Sequence, residues 1–364
     1  MNLKYTKNPE KRSLPLMQGL AVWMKKNLFS TPLNSAISLV LLGLLFKALG
    51  PLFYWLVVNS TWEGTAQTCR HNDGACLVFI KEKFVFILFG FYPRELLWRP
   101  VVAISLFIGL CLYSRDVKRW NKLLLWRWLK LILLCAFLLK GGLFGFEAVS
   151  MDRWGGLPLT LILAFIGLIF SYPIGILLAL ARTGSLPLIK ALSVSYIELI
   201  RGVPMISLLF MASVMFPLFM PDGIVLPKLL RAQIAIIMFM SAYMAEVVRG
   251  GLAAVDKGQY EAADALGLMY WQKMLKVILP QALKIVIPPT VNTAIGMFKD
   301  TSLVVIIALS DLLMTTKTSL KDPKWLGFSV EAYLFAALIY FIFCFSMSRY
   351  SKRLEQVFSY GGRS

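Results

Sequence analysis

The sequence predicts an all-α integral membrane protein with about eight transmembrane helices. Three observations carry that prediction. Of 364 residues, 58% are hydrophobic and only 16% are charged, a composition foreign to soluble domains. The mean hydropathy is +0.71. Apolar runs of about 20 residues recur, each long enough to cross a bilayer, and helices satisfy the backbone of such runs inside lipid.

The N-terminus is basic and polar as far as Lys26. The first apolar run, residues 35–58, is too long for a signal-peptide core and has no evident cleavage site, so it reads as a retained span. Further spans are expected at 101–113, 128–146, 158–181, 204–220, 230–248, 283–309 and 332–347. The second is short. The apolar piece 84–91, set off from it by YPRELLWRP, reads as an early start, a re-entrant piece or an interfacial one. Lys47 falls in the middle of the first span and is expected to pair within the bundle, while Lys140 snorkels outward. Gly141 and Gly145 would give a small-residue helix-packing face.

Charge orients these spans. The net charge of +19 raises nucleic acid as a partner, but the Lys and Arg lie between apolar runs. Topology and anionic membrane lipids account for them, and no nucleic-acid partner is expected. Lys4, Lys7, Lys11, Arg12, Lys25 and Lys26 precede the first span, and Arg115, Lys118, Arg119, Lys122, Arg127 and Lys130 lie in SRDVKRWNKLLLWRWLK, which leads into the third. Both segments are expected in the cytoplasm. The loop between them is then external, 182–203 and 249–282 are internal, and both termini are cytoplasmic. The loop 311–330 falls outside despite Lys317, Lys321 and Lys324.

Cys69 and Cys76 share the external loop and form a possible disulfide if it faces an oxidising compartment. Cys111, Cys135 and Cys344 lie in apolar runs as packing residues. The single histidine, His71, reads as a solvated loop residue, and no Cys/His metal pattern occurs. No phosphate-binding G-x-x-x-x-G-K-[ST] loop is present, so ATP is not expected to bind this chain by that motif. No repeat of 20–50 residues is evident. By character the chain divides into an accessory region, 1–150, a core, 151–350, and a tail, 351–364.

Between the sixth and seventh spans lies EAADALGLMYWQKMLKVILP, residues 261–280. Asp256 is placed to cap a short helix in which Glu261 falls early and Ala262, Ala263 and Ala265 are strong helix formers of minimal bulk. Gly267 is placed to close it in a left-handed C-cap. A second helix is expected over 270–278, with Pro280 as a break before the next span. Two readings stay open on the residues alone. One is a helix docking on a cytoplasmic partner, with Tyr260, Leu266 and Leu268 as apolar anchors. The other is an amphipathic helix lying on lipid.

Intramembrane polar residues are costly and mark candidates for translocation or gating. Glu198 and Arg201 lie in ELIRGVP, read as a loop-to-helix junction with a gating role as the alternative. Ser241 and Glu246 lie near the end of the sixth span, with Arg249 at i+3 from Glu246, the spacing of a structural ion pair. Asn292, Thr293, Lys299, Asp300 and Thr301 lie in one long apolar run that Pro288 and Pro289 kink.

The spacing Glu261-Ala262-Ala263, Gly267, Leu279-Pro280 resembles the EAA signature of permease subunits of bacterial ABC importers. The flanks VVRGGLAAVDKGQYEAADALGL and LPQALKIVIPPTVNTAIGMFKDTSLV, with YIELIRGVPMISLLFM and WGGLPLTLILA, are similar to the polar amino-acid branch. The additional N-terminal spans are similar to those of general L-amino-acid permease subunits, the M-type subunit above all. The resemblance implies a five-helix type I importer core behind three extra helices, in a bacterial inner membrane. It implies that Tyr260, Glu261, Ala262, Ala263, Ala265, Leu266, Gly267 and Leu268 couple to a separate ATPase subunit. ATP and Mg would act through that partner and no cofactor would bind here directly. The further implied partners are a second permease subunit in a heterodimer and a periplasmic or surface amino-acid-binding protein. The rival reading, a secondary transporter or channel, would make Lys299 and Asp300 an ion site and leaves the loop at 261–280 without a purpose.

Overall fold

The computed structural model describes residues 16–142, 145–221, 223 and 226–360. The expectations resting on Lys4, Lys7, Lys11, Arg12 and the last four residues lie outside the described residues. By backbone contacts the chain forms two compact units, Met1–Val78 and Phe79–Ser364.

In the first unit, α1 (Leu16–Asn27) leads to α2 (Pro32–Phe53), which continues as a π-helical turn, Tyr54–Val58. Thr31 caps α2 by accepting from the Asn34 amide at 3.2 Å, and Pro32 occupies the first turn, where a missing N–H costs nothing. The first span therefore starts a few residues before the expected 35–58. Lys47 is exposed on α2 and makes no ion pair among the described residues, so the expected pairing is not found there. Beyond a short helix, α3 (Ala66–Arg70), Cys69 and Cys76 are joined in a disulfide with Cα atoms 5.5 Å apart. Gly74 lets the loop close: a Cβ there would sit 1.8 Å from the Asn59 carbonyl oxygen.

Helix α4 (Leu77–Phe89) begins in the last two residues of the first unit, and the second unit goes on with α5 (Trp98–Tyr113) and α6 (Lys122–Lys140). The piece at 84–91 is thus the end of a separate helix. Asn121 caps α6 by accepting from the Leu124 amide at 3.0 Å. Helix α6 begins earlier than the expected 128–146 and stops at Gly141. Gly141 and Gly145 have φ of 63° and 77°. They lie beyond the helix in left-handed backbone, so they do not form a helix-packing face, which corrects that expectation.

The same unit runs on through α7 (Gly156–Thr183), α8 (Pro187–Gly202), α9 (Met205–Val214) and α10 (Lys228–Ala254). It continues through α11 (Lys257–Ala265), α12 (Tyr270–Lys273), α13 (Leu279–Ile285), α14 (Ile287–Asp300), α15 (Leu312–Ser319) and α16 (Ser329–Tyr360). Helices α7 and α10 form the central pair. They approach closely because Gly175 has no side chain: a Cβ there would lie 2.6 Å from Met244 Cβ. Among the described residues six helices are long and apolar enough to cross a membrane, at Pro32–Val58, Arg94–Tyr113, Gly156–Thr183, Lys228–Ala254, Ile287–Ile307 and Ser329–Phe358. The α8–α9 pair, bent by 102°, would make a seventh. Helix α6, 19 residues long, carries Arg127 and Lys130 in its N-terminal half.

Two expected loops are helical. Residues 187–202, read as connection, form α8, and the chain turns sharply at Val203-Pro204, where proline disfavours helix in the residue before it. The loop 311–330 contains α15, capped by Asp311, which accepts from the Leu313 and Met314 amides at 3.1 and 2.9 Å. Lys317, Lys321 and Lys324 stay exposed there.

Candidate functional site: the loop between α10 and α14 and the charges beside it

Helix α11 has defined ends. Asp256 accepts from the Gly258 amide at 2.7 Å. At the other end Gly267, at φ 68°, donates to the Asp264 carbonyl at 2.9 Å while Leu268 donates to Ala263 at 3.2 Å. This is a Schellman closure, for which glycine is the favoured residue. Ala263 is the buried residue of α11, while Glu261, Ala262, Ala265 and Leu266 face outward. Leu266 is 78% exposed and Met269 75%. Of the expected anchors, only Leu266 is free to touch a partner fully. Leu268 is half-buried, and Tyr260 turns back to donate to the Leu252 carbonyl at 3.1 Å. Burial is the larger cause that raises the Tyr260 hydroxyl pKa, with nearby Tyr270 adding to it and Lys273 opposing it. Met269, not singled out from the sequence, takes the outward place beside Leu266.

The loop is fixed to the bundle. Lys273 Nζ and Asp264 Oδ1 meet at 2.5 Å, tying α12 to α11. Ala179, Leu180, Val248, Leu252, Met274 and Ile278 pack together, joining the loop to the C-terminal ends of α7 and α10. Gly251 permits the contact, since a Cβ there would meet Val286 Cγ1 at 2.3 Å. Pro280 does not break the chain here, contrary to expectation. A π turn, Met274–Ile278, precedes it and the helix runs on into α13 with proline in the first turn. The wider turn absorbs the missing amide hydrogen bond. The break comes at Val286, with φ −90° and ψ 4°, just ahead of Pro288 and Pro289.

Beside the loop the structure collects charges from three helices. Glu246 of α10 lies 2.9 Å from Arg182 of α7, 3.1 Å from Arg249 of α10 and 3.7 Å from Arg201 of α8. Arg182 also meets Glu198 of α8 at 2.8 Å. The Arg201 guanidinium lies 5.6 Å from the Tyr243 ring centroid. The i,i+3 pair read from the sequence is present, inside a larger network. Arg182 was missed: a lone arginine at a helix end carries no signal, and its partners are distant in the chain. Ser241 is buried elsewhere on α10, sharing the Tyr196 hydroxyl at 3.0 Å and donating to the Met238 carbonyl at 2.8 Å.

The remaining candidates lie on α14. Asn292 and Lys299 are exposed, and Thr293, Gly296 and Asp300 are half-buried. The i, i+4, i+7 spacing of Asn292, Gly296 and Lys299 puts them on one stripe. Thr293 and Asp300 border it, and a Cβ at Gly296 would meet nothing within 4 Å. Ala294, Met297 and Phe298 are buried on the opposite face. Thr301 is buried with them and donates to the Phe298 carbonyl at 2.7 Å, away from the stripe. Lys299 and Asp300 make no ion pair among the described residues.

Residues 171–359 match the family described as "Binding-protein-dependent transport system inner membrane component". The chain is 48% identical over 354 residues to the "Inner membrane amino-acid ABC transporter permease protein YhdY" of Escherichia coli (strain K12), covering 93% of each chain. It is 38% identical to the "Glutamate/glutamine/aspartate/asparagine transport system permease protein BztC" of Rhodobacter capsulatus, covering 95% of each. Both matches take in most of the region before residue 150. A solved structure, "Crystal structure of an amino acid ABC transporter with histidines", is 32% identical, covering 54% of this chain and 89% of that one, with a TM-score of 0.49. With its several membrane-spanning helices, the chain belongs to the family of inner-membrane components of binding-protein-dependent transport systems.

Proposed function

We propose that this chain is a permease subunit of an ATP-driven importer of amino acids, and that α11 is where it receives work from a separate ATPase chain. One observation carries the coupling role. A short capped helix turns Glu261, Ala262, Ala265 and Leu266 outward, while its Tyr260 packs on the cluster that joins the following turn to the ends of α7 and α10 and donates to the Leu252 carbonyl. Small outward side chains permit close approach by a partner groove, and Leu266 and Met269 supply apolar contact. The similarity to two amino-acid transport permeases supports amino acids as the cargo.

The mechanism follows from the packing. A displacement of α11 is carried by a rigid apolar cluster rather than a slack loop, so it reaches α7 and α10 together. The charge network around Glu246 ties α8 to the same pair, so the bent α8–α9 element moves with them. The polar stripe of α14 lines the path, because Asn292, Lys299 and Asp300 are too costly to face hydrocarbon. ATP and Mg bind in the partner ATPase, and this chain couples two equilibria without chemistry of its own. A binding protein delivers substrate to the external face, a second permease chain completes the path as a heterodimer, and both termini are cytoplasmic. Residues 1–150 form an accessory region, 151–350 the core with its coupling loop at 249–282, and 351–364 a tail.

The test is Glu261→Lys in the co-expressed complex. Uptake of labelled amino acid is lost while the chain remains inserted and melts as the unaltered chain does. Unchanged uptake, or uptake by this chain alone in liposomes under a proton gradient, would overturn the coupling role in favour of a secondary transporter.

A further inference from the structure

A cavity of about 610 Å³ opens between α7, α8, α10 and the α11–α12 loop. Its polar lining is mostly cationic and phenolic: Arg182, Lys190, Arg249 and Lys273 with Tyr260 and Tyr270, and Thr183 beside them. No carboxylate lines it. Glu246, Glu198 and Asp264 reach three of the four cations from outside the lining, while the Lys190 ammonium makes no ion pair among the described residues. The Tyr270 hydroxyl likewise makes no hydrogen bond among them. A space with this lining is built for an anion with several acceptor oxygens.

Helix α8 shows where such an anion would come from. Leu188, Leu192 and Leu199 are 72%, 64% and 68% exposed and fall on one face by the i, i+4, i+11 spacing. Lys190 leaves from the other side, beside the buried Ser193 and Ile197, and enters the cavity. One helix thus sets an apolar outer face next to a cationic recess, at the level where the apolar helices α7 and α10 end. Acyl chains suit the first and a phosphate headgroup the second.

We propose that this cavity binds the phosphate headgroup of an anionic phospholipid, with Lys190 and Lys273 as its principal contacts and Tyr270 as a neutral donor. The wall formed by Tyr260, Tyr270, Lys273 and Met274 belongs to the loop that carries α11, so an occupied cavity holds that loop against α7 and α8. The inference rests on α7 and α10 crossing a membrane and not on what is transported, so a binding readout separates it from the import proposal.

The test is native mass spectrometry of the full chain, purified with its copurifying partners in mild detergent and titrated with phosphatidylglycerol, phosphatidylcholine or glycerol 3-phosphate. The unaltered chain retains phosphatidylglycerol saturably and phosphatidylcholine does not replace it. Each of Lys190→Gln and Lys273→Gln weakens retention about fivefold and the double variant about 25-fold, the loss of one and two headgroup cations. Lys276→Gln, outside the cavity, leaves it unchanged. Melting curves identify any variant that misfolds, and Lys190→Gln, whose side chain is solvent-exposed, then decides alone. Equal binding of phosphatidylcholine, or no loss in either lysine variant, would overturn the proposal. Glycerol 3-phosphate binding as tightly as the lipid would assign the site to a soluble phosphate ester instead. Retention seen only after the partners are stripped away would assign it to a protein contact.

Discussion

Arg182, at the C-terminal end of α7, meets Glu246 of α10 at 2.9 Å, and the same carboxylate serves Arg249 at 3.1 Å and Arg201 at 3.7 Å. One anion therefore holds three cations from three helices. Its side chain is only 17% exposed, so solvent cannot fully replace it. Glu246→Gln leaves three guanidiniums crowded together and is expected to destabilise the fold by on the order of 3 kcal/mol. The readout is the melting temperature of the purified complex. Arg182→Ala has a smaller effect, because Glu246 retains Arg249 as a partner.

Gly267→Ala tests the closure of α11. The position has φ 68° and open space for a Cβ, so any cost is backbone strain alone, about 1 kcal/mol. The variant loosens the turn between α11 and α12 and reduces recovery of the ATPase partner in pull-down. Gly267→Asn, better tolerated in left-handed backbone, retains more.

Asp311 gives a pH dependence with a defined sign. Burial is the main cause raising its carboxyl from 3.8 to about 6, only partly offset by the Leu313 and Met314 amides and the Tyr340 hydroxyl. A carboxyl raised in the folded state binds its proton more tightly there than when unfolded. The stabilisation is full below pH 3.8 and is lost as pH rises to about 6, by on the order of 3 kcal/mol. Asp311→Asn flattens this window in melting temperature against pH. Asn offers one acceptor oxygen where Asp311 uses two, so one capping amide loses its partner and the variant's curve lies lower at acid pH.

Lys299→Leu removes the charge from the exposed stripe of α14 without touching its buried face. Uptake falls several-fold, while ATPase recovery and melting temperature stay as in the unaltered chain. A matching loss of ATPase recovery would place Lys299 outside the path.

The long apolar helices were legible from hydropathy, and the caps of α11 from two residues, Asp256 and Gly267, whose local chemistry decides the conformation. What escaped the sequence depended on three-dimensional neighbours. Arg182 had no nearby partner to mark it. Helix α8 hid in a connection because its exposed leucines and buried Ile197 do not sum to an apolar run. Gly141 and Gly145 matched a helix-packing spacing, yet α6 had already ended at Lys140. Thr301 shared a motif with Lys299 and Asp300 but turned to the buried face, because a residue's face depends on phase as well as proximity. Pro280 misled for a related reason. Its effect depends on the hydrogen-bond pattern of the turn before it, which the sequence does not display.

That turn, Met274–Ile278, holds one more residue than an α-helical turn. It is a stored length of chain. Closing it to an α-helical turn would change the phase of everything beyond it by about 100° and its reach by about 1.5 Å. Closure of that turn would therefore rotate and shift α13 relative to α12.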